Sequence, residues 1–165
     1  MTRRVFYSFH YEPDNWRASQ VRNMGVIEGS RPCSDNDWES IKSGGADAIK
    51  KWIAEQLDGK SCAVVLIGEK TAERKWIQYE IIKAWNDNKG IVGVYVHNLL
   101  DRNKKQSVKG NNPFALINLG STTTMLSSLV KAYDPPYTIS TSVYNHISNN
   151  LAAWVEEAIA IRAKY

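Results

Sequence analysis

Cysteine is scarce in this chain, with Cys33 and Cys62 as the whole complement. Two thiols cannot build a disulfide framework, and Cys62 opens a run that reads as a buried strand, so a reducing, cytoplasmic setting is expected. No stretch approaches the ~18 consecutive apolar residues of a membrane span. The start, "MTRR", enters strand-like sequence at once, without the apolar region and small-residue cleavage site of a secretion signal. Familiar chemistries are missing too. No G-x-G-x-x-G follows a strand, no G-x-x-x-x-G-K-[ST] loop is present, and no G-x-S-x-G elbow appears. His10, His97 and His146 are far apart and lack a Cys-x-x-Cys companion, so no metal site is expected.

What is present suits a globular enzyme or binding module. At 165 residues, 43% of them hydrophobic, the chain reads as one domain over 1–165 with a continuous core. The net charge is +4 and the pI about 9.0. The basic residues are scattered, however, and the densest group, "DRNKKQSVKG" (101–110), reads as a loop. Such a balance fits a small anionic ligand, and nucleic acid is not expected as a partner.

Local patterns divide the chain into alternating elements. "RRVFYSFHYE" begins with a strand over Val5–Phe9, and "PDNWRASQVRNMG" reads as a helix with Pro13 near its start, Trp16 and Val21 on its apolar side, and Gly25 as its stop. "VIEGSRPCSDNDW" holds a short strand followed by an irregular loop. "GGADAIKKWIAEQLDGK" is the clearest amphipathic helix, with Ile49, Trp52, Ile53 and Leu57 at helical spacing and Gly59 at its end. "SCAVVLIG" is a continuous apolar run of the kind that forms a central strand covered on both faces. A third helix, containing "KWIQYEIIKAW" and closed by Gly90, precedes a buried strand over Ile91–His97. "TTTMLSSLVKAYDPPYT" holds a candidate strand, and the chain ends in a helix with a stripe of Val143, Ile147, Leu151, Trp154, Val155 and Ala158. This alternation predicts a parallel sheet with helices on both faces, whose order cannot be read from sequence.

Ligands of such sheets bind outside the carboxyl ends of the strands. The expected site therefore includes Ser8 to Tyr11 and Gly68 to Thr71, together with the first turns of the following helix. In "KWIQYEIIKAW" each residue turns about 100° from the last. Ile77, Ile81, Ala84 and Trp85 then form one core-facing stripe, and Glu80 falls just off its edge, one turn beyond Trp76. A carboxylate on that border could look into a cleft, although most helix glutamates are solvated surface charges, here with Lys75 or Lys83 as partners.

In order from Arg3 to Phe114, "RRVFYSFHYE", Arg22, "VVLIGEKTAERKWIQYEI", "GIVGVYVH" and "KGNNPF" resemble the TIR-like proteins of the Thoeris antiphage system, the ThsB type. Residues 115–165 match only vaguely and form a variable carboxyl-terminal part. The resemblance implies a flavodoxin-like TIR fold, an α/β architecture with a mostly parallel sheet flanked by helices. It also implies an activity, cleavage of the bond between nicotinamide and ribose in NAD, with the ADP-ribosyl product becoming a cyclic nucleotide signal for a separate effector after infection. NAD would be a substrate and no cofactor is implied. The family's catalytic glutamate corresponds to Glu80. Aromatic walls from Phe9, Tyr11, Trp38 and Trp76 could fold the dinucleotide, with Ser8, His10 and the Asp35–Trp38 loop contacting ribose and phosphate. A phage-derived trigger or self-association could control activity. Two alternatives stay open, a non-enzymatic TIR module acting through oligomerisation and a nucleoside deoxyribosyltransferase-like enzyme.

Overall fold

A computed structural model describes residues 3–29, 40–120 and 122–165. The element order is β1 (Arg4–Ser8), α1 (Tyr11–Asn23), β2 (Glu28–Gly29), α2 (Gly45–Leu57), β3 (Cys62–Ile67), α3 (Lys75–Asn86), β4 (Gly90–Tyr95), β5 (Ala132–Tyr133) and α4 (Ser140–Ala163). Residues 40–43 are helical, and Thr71–Glu73 form a 3-10 turn. The strands lie in the order β2-β1-β3-β4-β5, and every pairing is parallel. This is the flavodoxin-like doubly wound arrangement, whose strand order reverses between β1 and β3. No helix among the described residues is long and apolar enough to cross a membrane.

The two-residue period of the strands divides the core into halves. Val5, Tyr7, Val64, Leu66, Val92 and Val94 pack with Ala18 and Val21 of α1 and with the α4 stripe. Phe6, Ala63, Val65, Ile67 and Ile91 pack with Ile49, Ile53 and Leu57 of α2 and Ile77, Ile81 and Ala84 of α3. α1 and α4 therefore cover one face, and α2 and α3 the other. β3 and β4 are buried along their whole length because both faces are covered.

Several expectations need correction. Gly90 does not close α3. The left-handed residue after that helix is Asn88, with φ 62°, and Gly90 begins β4. Its role is close approach: a Cβ there would meet the α4 backbone at 2.7 Å from Ile159 N and 2.8 Å from Ala158 C. β4 ends at Tyr95 rather than His97, and β1 at Ser8 rather than Phe9. Trp16 is 48% exposed, and the buried face of α1 is made by Asp14, Arg17, Ala18 and Val21.

The Gly90 contact gives a direct test of helix packing. At Gly93 an added methyl would meet side-chain ends, Ile67 Cδ1 at 2.8 Å and Phe114 Cε2 at 2.9 Å, which can yield. Backbone cannot. Gly90→Ala is expected to cost about 1–3 kcal/mol as overpacking, and more than Gly93→Ala, measured by chemical denaturation of both variants.

Candidate active site

The site begins where β2 stops. β2 pairs only with Arg4 and Val5, so the outer edge of β1 from Phe6 to Ser8 has no strand beside it among the described residues. A cavity of ≈ 840 Å³ opens there. Its walls come from β1 and the start of α1 (Phe6, Tyr7, Phe9, His10, Tyr11, Glu12), from further along α1 (Ala18, Ser19, Arg22) and from α2 (Ile49, Trp52, Gln56), with Lys42 just before it. The segment after β3 supplies Lys70, Glu73 and Arg74, and α3 supplies Lys75, Trp76, Ile77 and Glu80.

Glu80 lies deeper than its sequence position suggested. It is 8% exposed and belongs to the buried face of α3 with Ile77, Ile81 and Ala84, whereas Trp85 is only half-buried and packs under the Arg162 guanidinium at 4.3 Å. The helix rotates toward the sheet by enough to bring Glu80 in and leave Trp85 at the margin. Neither expected lysine partner reaches it, since Lys83 pairs with Asp87 at 3.1 Å and Lys75 lies over the Trp76 ring at 5.2 Å. Its partner is Ser8, whose hydroxyl donates to the Glu80 carboxyl. Strand alternation explains that contact: Ser8 shares a face with Phe6, the face α3 covers. The pair therefore joins the end of β1 to the helix after β3, across the point where the strand order reverses.

Burial pushes the Glu80 carboxyl up to about 8, against the Ser8 hydrogen bond, which favours the anion. A carboxyl held in this way is mostly protonated at pH 7. A cation placed beside it would draw the proton off.

The other expected residues divide clearly. Phe9, His10, Tyr11, Trp76 and Glu80 line the cavity, and Ser8 stands behind it, bonded to Glu80. Phe9 and Tyr11 stack with ring centroids 6.1 Å apart, and Trp76 meets Tyr79 edge-on at 5.6 Å. Asp35 and Trp38 lie outside the described residues. Of Gly68 to Thr71 only Lys70 lines the cavity. Gly68 is covered instead, since a Cβ there would fall 2.1 Å from the Asp14 carboxylate, and its carbonyl is approached closely by Gly110.

Sequence reasoning missed Arg22 as a lining residue, along with Trp52 and Arg74. For Arg22 a signal existed, because Tyr11, Ala18 and Arg22 fall on one helical face. Arg74 follows a 3-10 turn with no periodicity to reveal it. Cationic side chains outnumber carboxylates around the cavity among the described residues, which favours an anionic ligand with apolar rings.

Comparison with known proteins agrees with this geometry. The family model for the Thoeris protein ThsB, TIR-like domain, matches residues 6–101. A protein of Bacillus cereus (strain MSX-D12), named "Putative cyclic ADP-D-ribose synthase ThsB1", is 34% identical over 119 residues, covering 69% of this chain and 62% of that protein. The match thus spans less than two thirds of the relative's length. The residues that the family model matches include the end of β1, the cavity walls of α1 and α2, and Glu80. The chain belongs to the Thoeris ThsB family of TIR-like proteins.

Proposed function

We propose that this chain is an NAD-consuming enzyme of antiphage defence, working in the cytoplasm. It breaks the bond between nicotinamide and ribose and closes the remainder into a cyclic ADP-ribose-type signal for a separate effector protein. One observation carries the reading: a buried carboxylate, Glu80, faces an aromatic-walled, largely cationic cavity at the topological switch point. The name of the Bacillus cereus relative, a cyclic ADP-D-ribose synthase, supports the product class.

The chemistry needs one anion and no acid. Nicotinamide in NAD is a pyridinium and leaves as a neutral molecule, so nothing has to protonate it. Positive charge develops on the ribose, as in glycoside hydrolysis. The pyridinium entering beside Glu80 would favour the ionised carboxylate, and the Ser8 hydroxyl would hold that anion in place. A carboxylate in a cavity emptied of water then stabilises the oxocarbenium-like sugar more strongly than it would in solvent. Phe9, Tyr11 and Trp76 offer apolar surfaces for the two bases, and folding the dinucleotide back on itself raises the effective concentration of the internal nucleophile. Arg22, Lys70 and Arg74 supply charge for the diphosphate.

Mass spectrometry of small molecules from phage-infected cells carrying this protein tests the proposal. A new nucleotide with the mass of ADP-ribose less one water is expected, together with free nicotinamide. Infected cells that accumulate neither would overturn it.

A further inference from the structure

We propose that His10 is the proton acceptor for the hydroxyl that attacks the ribose once nicotinamide departs. The inference rests on the NAD-cleaving reading and adds a second acting residue to it. His10 joins β1 to α1, and its carbonyl accepts from the Asp14 N–H at 3.1 Å, which fixes the backbone at the mouth of the site. Its ring lines the same cavity as Glu80. Its Nδ1 is closed off from solvent and has no hydrogen-bond partner among the described residues, which leaves Nε2 as the nitrogen able to take a proton from the cavity. A buried ring nitrogen without a partner is costly, and no described residue relieves it.

The groups facing the ring keep it neutral. Burial acts first, then Arg74, and Lys70 adds to them from the segment after β3; Glu12, on α1 itself, opposes them more weakly than Arg74 acts. A neutral imidazole has one nitrogen free to take a proton. Glu80 is poorly suited to that task. Ser8 already holds it, and its negative charge is needed opposite the sugar until the new bond forms.

The step balances without a further reagent. The bond from ribose C1 to the nicotinamide nitrogen breaks, and its electron pair leaves with the base, which becomes neutral. An oxygen lone pair, from a hydroxyl of the same molecule or from water, forms the new C–O bond. The hydroxyl's proton passes to the imidazole of His10 and then to solvent. NAD thus yields the cyclic or hydrolysed product, nicotinamide and one proton. The reverse attack, by a second nicotinamide through its ring nitrogen, releases no proton and needs no acceptor.

That difference supplies the experiment. Extracts of phage-infected cells carrying the wild-type chain or His10→Gln would be given NAD and isotopically labelled nicotinamide, with Glu80→Gln extracts as background. Label returning into NAD measures bond cleavage, and product measures capture by a hydroxyl. In His10→Gln the ratio of product to exchange is expected to fall at least ~10-fold, since general bases contribute about 10²–10⁴-fold. An unchanged ratio in an active variant would overturn the role of His10 and leave the NAD-cleaving reading standing. Wild-type extracts showing neither exchange nor product would sink both. Should the glutamine variant not fold, the wild-type ring remains measurable: NMR titration is expected to show His10 neutral at pH 7, and an imidazolium there would refute the proposal.

Discussion

Glu80→Gln is expected to melt at a higher temperature than the wild-type protein at neutral pH while losing nicotinamide release. The two effects share one cause. In the unfolded chain this carboxyl ionises at its ordinary value of 4.5, whereas burial in the folded state holds it up to about 8. Below pH 4.5 both states keep the proton, and Glu80 contributes no pH-dependent penalty. Between 4.5 and 8 only the unfolded chain gives the proton up, so the folded state loses stability as pH rises. Above 8 both are ionised and the penalty stops growing. One pH unit corresponds to about 1.4 kcal/mol, which gives roughly 3 kcal/mol at pH 7. Glutamine has the same shape, can still accept from Ser8, and never ionises. Its advantage should therefore be absent at pH 4, grow through neutrality and level off near pH 8, as followed by denaturant titration across that range. Activity should move the other way: loss of the charge opposite the sugar is expected to lower turnover by at least roughly 10²–10³-fold. Equal stability of the two proteins at pH 4 and pH 8 would mean that Glu80 is not held in a desolvated place, and full turnover by the glutamine form would remove it from the chemistry.

That conflict between folding and function is also why Glu80 was only partly legible in the sequence. Helical spacing placed it beside the core stripe, but its own chemistry argued for the surface, and Trp85 was the stronger candidate for the buried position. The group that Glu80 meets there, Ser8, is seventy-two residues away on β1. Local periodicity has no access to such a pair. The resemblance to a known family pointed to Glu80 by motif, but not to its pairing with Ser8.

Other features were readable wherever a face was continuously covered. "CAVVLI" and "GIVGVY" became β3 and β4, and the final stripe became α4, since apolar periodicity follows directly from burial. Strand order was invisible, because parallel neighbours are joined by crossovers whose sequence does not record which strand lies next. Trp16 shows the opposite failure: a large ring suggested an inward face that Asp14 and Arg17, a charged pair, in fact occupy. Burial of charge is favourable only when partners are in place, and those partners lie about eighty residues further along the chain.

Arg17 shows how much rests on those partners. It is 2% exposed, pairs with Asp14 at 2.8 Å, and donates to the carbonyls of Leu99 at 2.8 Å, Lys105 at 2.9 Å and Pro13 at 3.2 Å. One guanidinium therefore ties the first turns of α1 to the segment that leaves β4. That same segment brings Gly110 down onto the Gly68 and Glu69 carbonyls, closing the end of β3 beside the cavity. Arg17→Met keeps the length of the side chain and removes every one of these bonds, leaving Asp14 buried and unpaired. Removing one partner of a buried pair costs about 3–5 kcal/mol, and the variant should lose that much in denaturant titration. Replacing both members, Asp14→Leu with Arg17→Met, should restore part of the loss and not all of it, because the Leu99 and Lys105 carbonyls still lack their donor. The local consequence is separable from the global one. Arg102, Lys104 and Lys105 are exposed trypsin sites in the tethered segment, and both variants should be cut there faster than wild type under conditions where the fold persists. Slow cleavage in both, with full recovery in the double variant, would mean that Arg17 serves only to neutralise Asp14 and that the loop is held by other contacts.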